Sequence, residues 1–316
     1  MRRYIINFFL AAIIAASFFF AVSRNDYLQW RMFDPEYGMW SAKTKLIEAS
    51  KKKHITLILG DSRIMAAYKP STNNKNSVFN LALGGGTPVE AFQILRRLVN
   101  EQTQIRQLLI SFAPGHFEHH DTFLGRAVLF NFYTNDEFKE ITKYAANGSL
   151  FDADMDKVKY CNQRLPMCYT SYIKYIFVPG RYEKNINFYN DTLSSNGWHL
   201  FGMDTPMKKP ADVRSTNFQP NPTLDTYFEK LIYLAKEKNI KLTYYLTPLE
   251  HSSYKLINMS YRNEFLSYLK HKAPNMEFFD GGPVPSELMG DGSHVNLLGA
   301  EFVTNDVNNR IFHNIF

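Results

Sequence analysis

Cysteine is nearly absent: the chain of 316 residues holds two, Cys161 and Cys168. A structural zinc site wants four ligands, so two cysteines this close do not announce one. In an oxidising compartment they are placed to close a short local loop, and two free thiols are the alternative. Nucleotide-binding signatures are missing too. There is no Walker A sequence and no Gly-x-Gly-x-x-Gly, which argues against nucleotide chemistry. A Gly-x-Ser-x-Gly elbow is also lacking, which removes the α/β-hydrolase route. No internal repeat or low-complexity tract is evident.

What is present describes a folded chain. Hydrophobic residues make up 45% and charged residues 21%, a balance that supports a sizeable core rather than disorder. The net charge of +6 is spread out, and its one tight run, Lys51–Lys53, reads as a solvated approach to a strand. No nucleic-acid partner is expected. A basic protein beside an anionic membrane or envelope polymer fits better.

One long uncharged run stands at the N-terminus. Arg2 and Arg3 precede Tyr4 to Val22, where Asn7 and Ser17 are the strongly polar interruptions. As a helix it is long enough for the roughly 30 Å hydrocarbon core. The flanking arginines favour a cytoplasmic N-terminus. We therefore expect a single transmembrane anchor over residues 1–24, a juxtamembrane connector over 25–50 with a short helix around Ala42–Ser50, and an exported domain over 51–316. A cleaved signal peptide ending near Ala21-Val22-Ser23 is the alternative, and it exports the same domain. Sequons begin at Asn147, Asn190 and Asn258 and carry no weight without knowledge of the host.

From residue 51 apolar runs and amphipathic stretches alternate. Strands are expected at Ile55–Leu59, Val78–Leu83, Gln107–Phe112, Lys241–Leu246 and Met276–Phe279. Helices are expected over Pro88 to about Asn100, Thr223–Lys238, Tyr261–His271 and Leu297–Ile311. This rhythm predicts an α/β fold with a mostly parallel, three-layer sheet. Residues 117–222 break it and read as a large insertion capping one end of the sheet. In such folds chemistry gathers at the carboxyl ends of the strands.

Two short blocks lie at such ends. Gly60-Asp61-Ser62-Arg63 follows the first strand, where a serine hydroxyl can stand at the sheet edge. A turn with a helix cap is the plain alternative. Near the C-terminus, Asp291 and His294 are three residues apart, just before a helix. That spacing lets the carboxylate hold one imidazole nitrogen while the other takes a proton from a hydroxyl. A serine needs such a base to act as a nucleophile.

Taken together, these blocks resemble the SGNH (GDSL-like) hydrolase and acyltransferase superfamily. The resemblance implies a flavodoxin-like sheet, Ser62 as nucleophile, and Asp291 and His294 as acid and base. It also implies an oxyanion donor from a glycine after the second strand, where Gly85 in Leu83-Gly84-Gly85-Gly86-Thr87 matches best. One departure stands out. The family's third block supplies an Asn to the oxyanion hole, but here the stretch reads Ser111-Phe112-Ala113-Pro114-Gly115-His116, and His116 is the substitute donor at hand. Losing one such donor costs about 10²–10³ in rate.

The layout looks closest to membrane-anchored members that act in envelope O-acylation, beside teichoic acid D-alanylation or alginate-type O-acetylation. That likeness implies a cell-envelope polysaccharide or acyl donor as substrate, a membrane-bound O-acyltransferase as partner, no cofactor, and a domain on the outer side of the cytoplasmic membrane. A plain carbohydrate or lipid esterase, and a catalytically weak scaffold that binds glycan, are the alternatives. Three further features are less committed. Arg63 either binds an anionic substrate group or makes a structural pair, the second being favoured. His116, His119, His120 and Asp121 match no metal motif, and no metal is expected. Glu250-His251 either lines a groove or faces solvent.

Overall fold

The computed structural model describes residues 1–71, 77–145, 155–164, 168–201 and 216–312. In chain order its strands are β1 (His54–Gly60), β2 (Ser77–Asn80), β3 (Gln104–Ser111), β4 (Lys241–Leu246), β5 (Leu249–Glu250), β6 (Glu277–Asp280) and β7 (Pro283–Val284). Five of them form one sheet in the order β2-β1-β3-β4-β6, every neighbouring pair parallel. β5 and β7 pair separately. The expected α/β sheet is therefore present, and its order is that of a flavodoxin-like, doubly wound fold.

The strands are short and apolar because both faces are covered. Side chains alternate between the two faces. Ile55, Leu57, Leu59, Leu108, Ile110 and Tyr244 enter one core. Ile58, Leu109, Tyr245 and Val78 enter the other. The helix Pro88–Asn100 and the helix Pro222–Glu237 cover the first face, contributing Val89, Leu95, Leu224 and Tyr227. The helices Ser62–Ala67 and Leu297–Arg310 cover the second, contributing Ile64, Met65, Val303 and Val307.

Three expectations change. First, the helical part of the expected juxtamembrane connector, residues 25–50, extends well beyond Ala42–Ser50. These residues form α2 (Asp26–Met32) and α3 (Glu36–Ser50), following α1 (Arg2–Arg24). Met32, Phe33, Trp40 and Ile47 lie in the main core. α3 packs on the helix Arg181–Ser194, where Gly38 lets the backbones meet: a Cβ there would overlap the Asn185 carbonyl oxygen. Second, β2 stops at Asn80 rather than Leu83, although Leu81 and Leu83 still donate to the Ile58 and Gly60 carbonyls as the chain leaves the ladder.

The third change concerns the anchor. α1 covers the apolar run, but among the described residues no helix is long and apolar enough to cross a membrane. The side chains of Phe19, Val22 and Ser23 inside α1 lie outside the described residues. The fold thus gives the transmembrane segment no support of its own.

The described part of the expected insertion adds to the core of the sheet. Phe123, Phe132, Tyr133, Ile141 and Tyr169 share the main core with the sheet. Cys161 and Cys168 are bonded to each other. The sequon at Asn147 lies outside the described residues.

Candidate active site

Strand order places the site. β1 and β3 flank the point where the winding reverses, and ligands in such sheets bind beyond the carboxyl ends of the strands there. β1 ends at Gly60, where a Cβ would overlap the Ser111 carbonyl oxygen of β3. Asp61 then locks the turn. Its N–H donates to the Ser111 carbonyl (3.1 Å). One carboxylate oxygen accepts from the Arg63 N–H (2.8 Å) and the other from the Ala113 N–H (2.7 Å). Asp61 therefore caps α4 (Ser62–Ala67) and ties the ends of β1 and β3 together, setting Ser62 at the first helical position.

Asn80 supports the same helix from β2. Fully buried, it donates through Nδ2 to the carbonyls of Ile64 (3.0 Å) and Tyr68 (2.9 Å). Its own carbonyl oxygen accepts from Lys43 Nζ (2.5 Å), and Lys43 also donates to Gly197 O. Burial holds the Lys43 amine well below its ordinary pKa. Nothing in the sequence pattern marks Asn80 or Lys43 beyond a polar residue beside an apolar run.

His294 arrives from the other end of the chain. The N–H groups of Gly290 and Asp291 donate to its carbonyl (2.8 and 3.2 Å), and Met289 bridges Val295. Asn296 caps the following helix through the Gly299 N–H (3.0 Å). Within this loop Asp291 Oδ1 accepts from the Ser293 and His294 N–H groups, each at 2.7 Å. Its other oxygen lies 2.8 Å from His294 Nδ1, and His294 Nε2 lies 2.8 Å from Ser62 Oγ. The result is an unbroken line from Asp291 through His294 to Ser62. Burial disfavours the Asp291 carboxylate, but the hydrogen bonds from His294 and the two N–H groups outweigh that and pull its pKa down to about 2. The ion that orients the imidazole is thus present across any physiological pH.

The glycine block forms a tight turn. Gly86 N–H donates to the Leu83 carbonyl (2.9 Å), and Gly85 has φ +69°, where glycine is favoured. Among the described residues Gly85 N–H meets no protein acceptor. The helix α5 (Pro88–Asn100) starts directly afterwards, with a capping box between Thr87 and Glu90.

The remaining candidates scatter. His116 Nε2 lies 3.4 Å from Asp61 Oδ2, beside the turn that carries Ser62. His120 is buried 2.8 Å from Glu90. Burial opposes ionisation of Glu90, yet His120 and hydrogen bonds from Tyr133 and Thr87 bring it down to about 2. His119 is exposed, and no group of three ligands able to hold a metal ion occurs among the described residues. Arg63 is buried and lines, with Arg262 and Asp280, a small cavity of about 20 Å³, which has room for roughly one water. Glu250 is buried rather than solvent-facing and caps the helix His251–Leu256, accepting from the Ser253 N–H (2.9 Å) and Ser286 Oγ (2.8 Å). Burial opposes that carboxylate as well, but the serine donors hold it near 2.

Sequence reasoning missed three neighbours of the site. Phe201 lays its ring against the His294 imidazole, centroids 4.5 Å apart. Glu36 of α3 abuts Gly84, where a Cβ would overlap its carboxylate. Arg126 donates to the Gly84 carbonyl. These come from segments distant in sequence, and no local motif flags them. Burial pushes the Glu36 carboxyl up to about 7, against the pull of Arg126.

No family model matches the chain, and no curated protein does.

Proposed function

We propose that this chain is an SGNH-type serine acyltransferase or esterase that works on a cell-envelope polysaccharide through an acyl-serine. The hydrogen-bonded line Asp291–His294–Ser62 at the carboxyl edge of a flavodoxin-like sheet carries the reading. Ser62 Oγ attacks the acyl carbonyl carbon while His294 Nε2 takes the hydroxyl proton. Asp291 holds the imidazole in the tautomer this requires. The oxyanion is held by backbone N–H groups, with Gly85 N–H as one donor. Collapse expels the alcohol with the proton returned by His294, leaving the acyl on Ser62. A sugar hydroxyl or water then attacks by the same proton route.

Two features favour transfer. Phe201 covers one face of the imidazole, and Thr122 and Arg126 from the segment after His116 close on the glycine turn, which helps keep water from the acyl-enzyme. α1 also presents Phe8, Phe9, Ile13, Ile14 and Phe18 outward, with Arg2 and Arg3 at its start. We assign α1 to the cytoplasmic membrane, with the domain on the outer side, within reach of a membrane-bound O-acyltransferase as donor. Hydrolysis is the second reading, favoured by side-chain exposures of 19% for His294 and 22% for Asp291, which leave water a path.

The test combines purified full-length chain in detergent with an activated acetyl ester and a soluble polysaccharide. Acetylated sugar that depends on Ser62 supports transfer. Free acetate alone, again dependent on Ser62, supports the esterase. Product that persists in Ser62→Ala overturns both.

A further inference from the structure

The glycine turn raises a problem that the triad does not solve. Leu83–Gly86 has an i to i+3 hydrogen bond with positive φ only at Gly85, the pattern of a type II turn. Types I and II differ by a flip of the central peptide, here the Gly84 carbonyl and the Gly85 N–H. That peptide is planar and trans, so its carbonyl and N–H point in opposite directions. In one orientation Gly85 N–H is offered to an oxyanion. After a flip, the Gly84 carbonyl oxygen occupies that direction and repels the same charge. With three glycines in a row, the turn has little side-chain bulk to prevent the flip.

Side chains from outside the turn meet both of its carbonyls. Arg126 Nη1 donates to the Gly84 oxygen at 2.9 Å. Thr122 Oγ1 donates to the Gly85 oxygen at 2.9 Å. Both residues come from the segment after His116. Arg126 lies in the six-residue π-helix Phe123–Val128, and Thr122 immediately precedes it. Such wide turns are often found at functional sites. The guanidinium is itself held: Glu36 Oε1 is 3.5 Å from Arg126 Nη2, and the Glu36 carboxylate lies against Gly84.

We propose that Arg126 is a positioning residue that locks the Gly84–Gly85 peptide with its N–H toward the acyl oxyanion, that Thr122 completes the lock by pinning the carbonyl of the next peptide, and that Glu36 braces Arg126. The inference rests on the acyl-serine reading of Ser62. It also accounts for how a site without the family's oxyanion asparagine stays usable. With fewer donors, the direction of each one matters more, and here the direction is fixed by side chains rather than by the turn.

Arg126→Ala, Arg126→Lys, Thr122→Val and Ser62→Ala are compared in the full-length chain, using p-nitrophenyl acetate and a boronic acid that places an oxygen in the oxyanion site. Losing one donor costs about 10²–10³. A donor released to flip loses part of that, so Arg126→Ala is expected to lower kcat by about 10- to 100-fold. KM is expected to stay within about twofold, since ground-state binding does not use the hole. Boronate affinity falls in parallel with kcat, which a merely structural role does not predict. Arg126→Lys restores part of both, because its ammonium still donates to Gly84. Thr122→Val moves both in the same direction by less, and serves alone if Arg126→Ala does not fold. Parent-like kcat and boronate affinity in Thr122→Val, or in a folded Arg126→Ala, overturn the lock while leaving Ser62 untouched. Parent-like ester cleavage in Ser62→Ala overturns the acyl-serine reading, and the lock with it.

Discussion

Replacing Asp291 by Asn separates the orienting charge from the loop it stabilises. The two N–H groups of Ser293 and His294, both 2.7 Å from Oδ1, keep an acceptor in the variant. The other oxygen, 2.8 Å from His294 Nδ1, becomes an amide that has hydrogens to give. It then accepts nothing from Nδ1–H and favours the opposite tautomer, with the proton on Nε2 facing Ser62. In a triad this kind of change costs about 10⁴ in kcat, or about 5.5 kcal/mol of transition-state stabilisation. The stability effect is much smaller. Asp291 moves from 3.8 to about 2 on folding, worth about 2 kcal/mol at roughly 1.4 kcal/mol per pKa unit. The folded pKa is the lower one. The stabilisation is therefore complete above about pH 4 and disappears as pH falls through about 2. Because the N–H contacts survive, Asp291→Asn is expected to lose about 1 to 2 kcal/mol at pH 7 and almost nothing near pH 2. Ester cleavage and urea unfolding on the same preparation measure both quantities. A folded variant whose kcat stays within about tenfold of the parent would refute the assignment of Asp291 as orienting acid.

Other perturbations read other parts of the structure. Glu36 has a folded pKa near 7 against 4.5 in the unfolded chain, so its burial costs stability as pH rises through that interval. Glu36→Gln should therefore flatten the pH dependence of unfolding between about pH 4.5 and 7 and gain about 3 kcal/mol at pH 8, seen by denaturant titration at several pH values. Gly60→Ala pushes a methyl into the Ser111 carbonyl and the Ile64 side chain, and should cost at least about 2 kcal/mol in the same assay. Phe201→Ala bares the imidazole face that the ring now covers. The ratio of free acid to transferred acyl group should rise severalfold, with ester cleavage changed by less than about threefold. An unchanged product ratio would remove Phe201 from any role in excluding water.

Much of this architecture is written locally in the chain. The apolar runs at Ile55–Leu59 and Lys241–Leu246 announce buried strands because both of their faces are covered, and the parallel sheet follows from their alternation with amphipathic helices. Ser62, Asp291 and His294 are legible for a similar reason: each sits where a strand ends or a helix begins, and their chemistry depends on short spacings. What surrounds them is not local. Glu36 reaches Gly84 only because α2 and α3 pack into the main core, and a helix with polar residues between apolar ones looks like a connector until its partner, the helix Arg181–Ser194, is known. Arg126 and Thr122 meet the glycine turn across about forty residues of chain, with no periodicity to suggest it. His120 matches no motif in the sequence, and Glu250 reads there as a groove-lining or solvent-facing group. Each is buried by a specific partner, Glu90 in one case and the serines of a helix cap in the other, and such pairings are settled by tertiary packing alone.

The central claim is that Ser62 is an activated nucleophile. The most direct measurement treats the folded full-length chain with a fluorophosphonate probe and locates the adduct by peptide mass spectrometry. The account predicts an adduct on Ser62 that disappears in His294→Ala. A folded chain that takes no label at Ser62, or whose labelling is unchanged in His294→Ala, would contradict it.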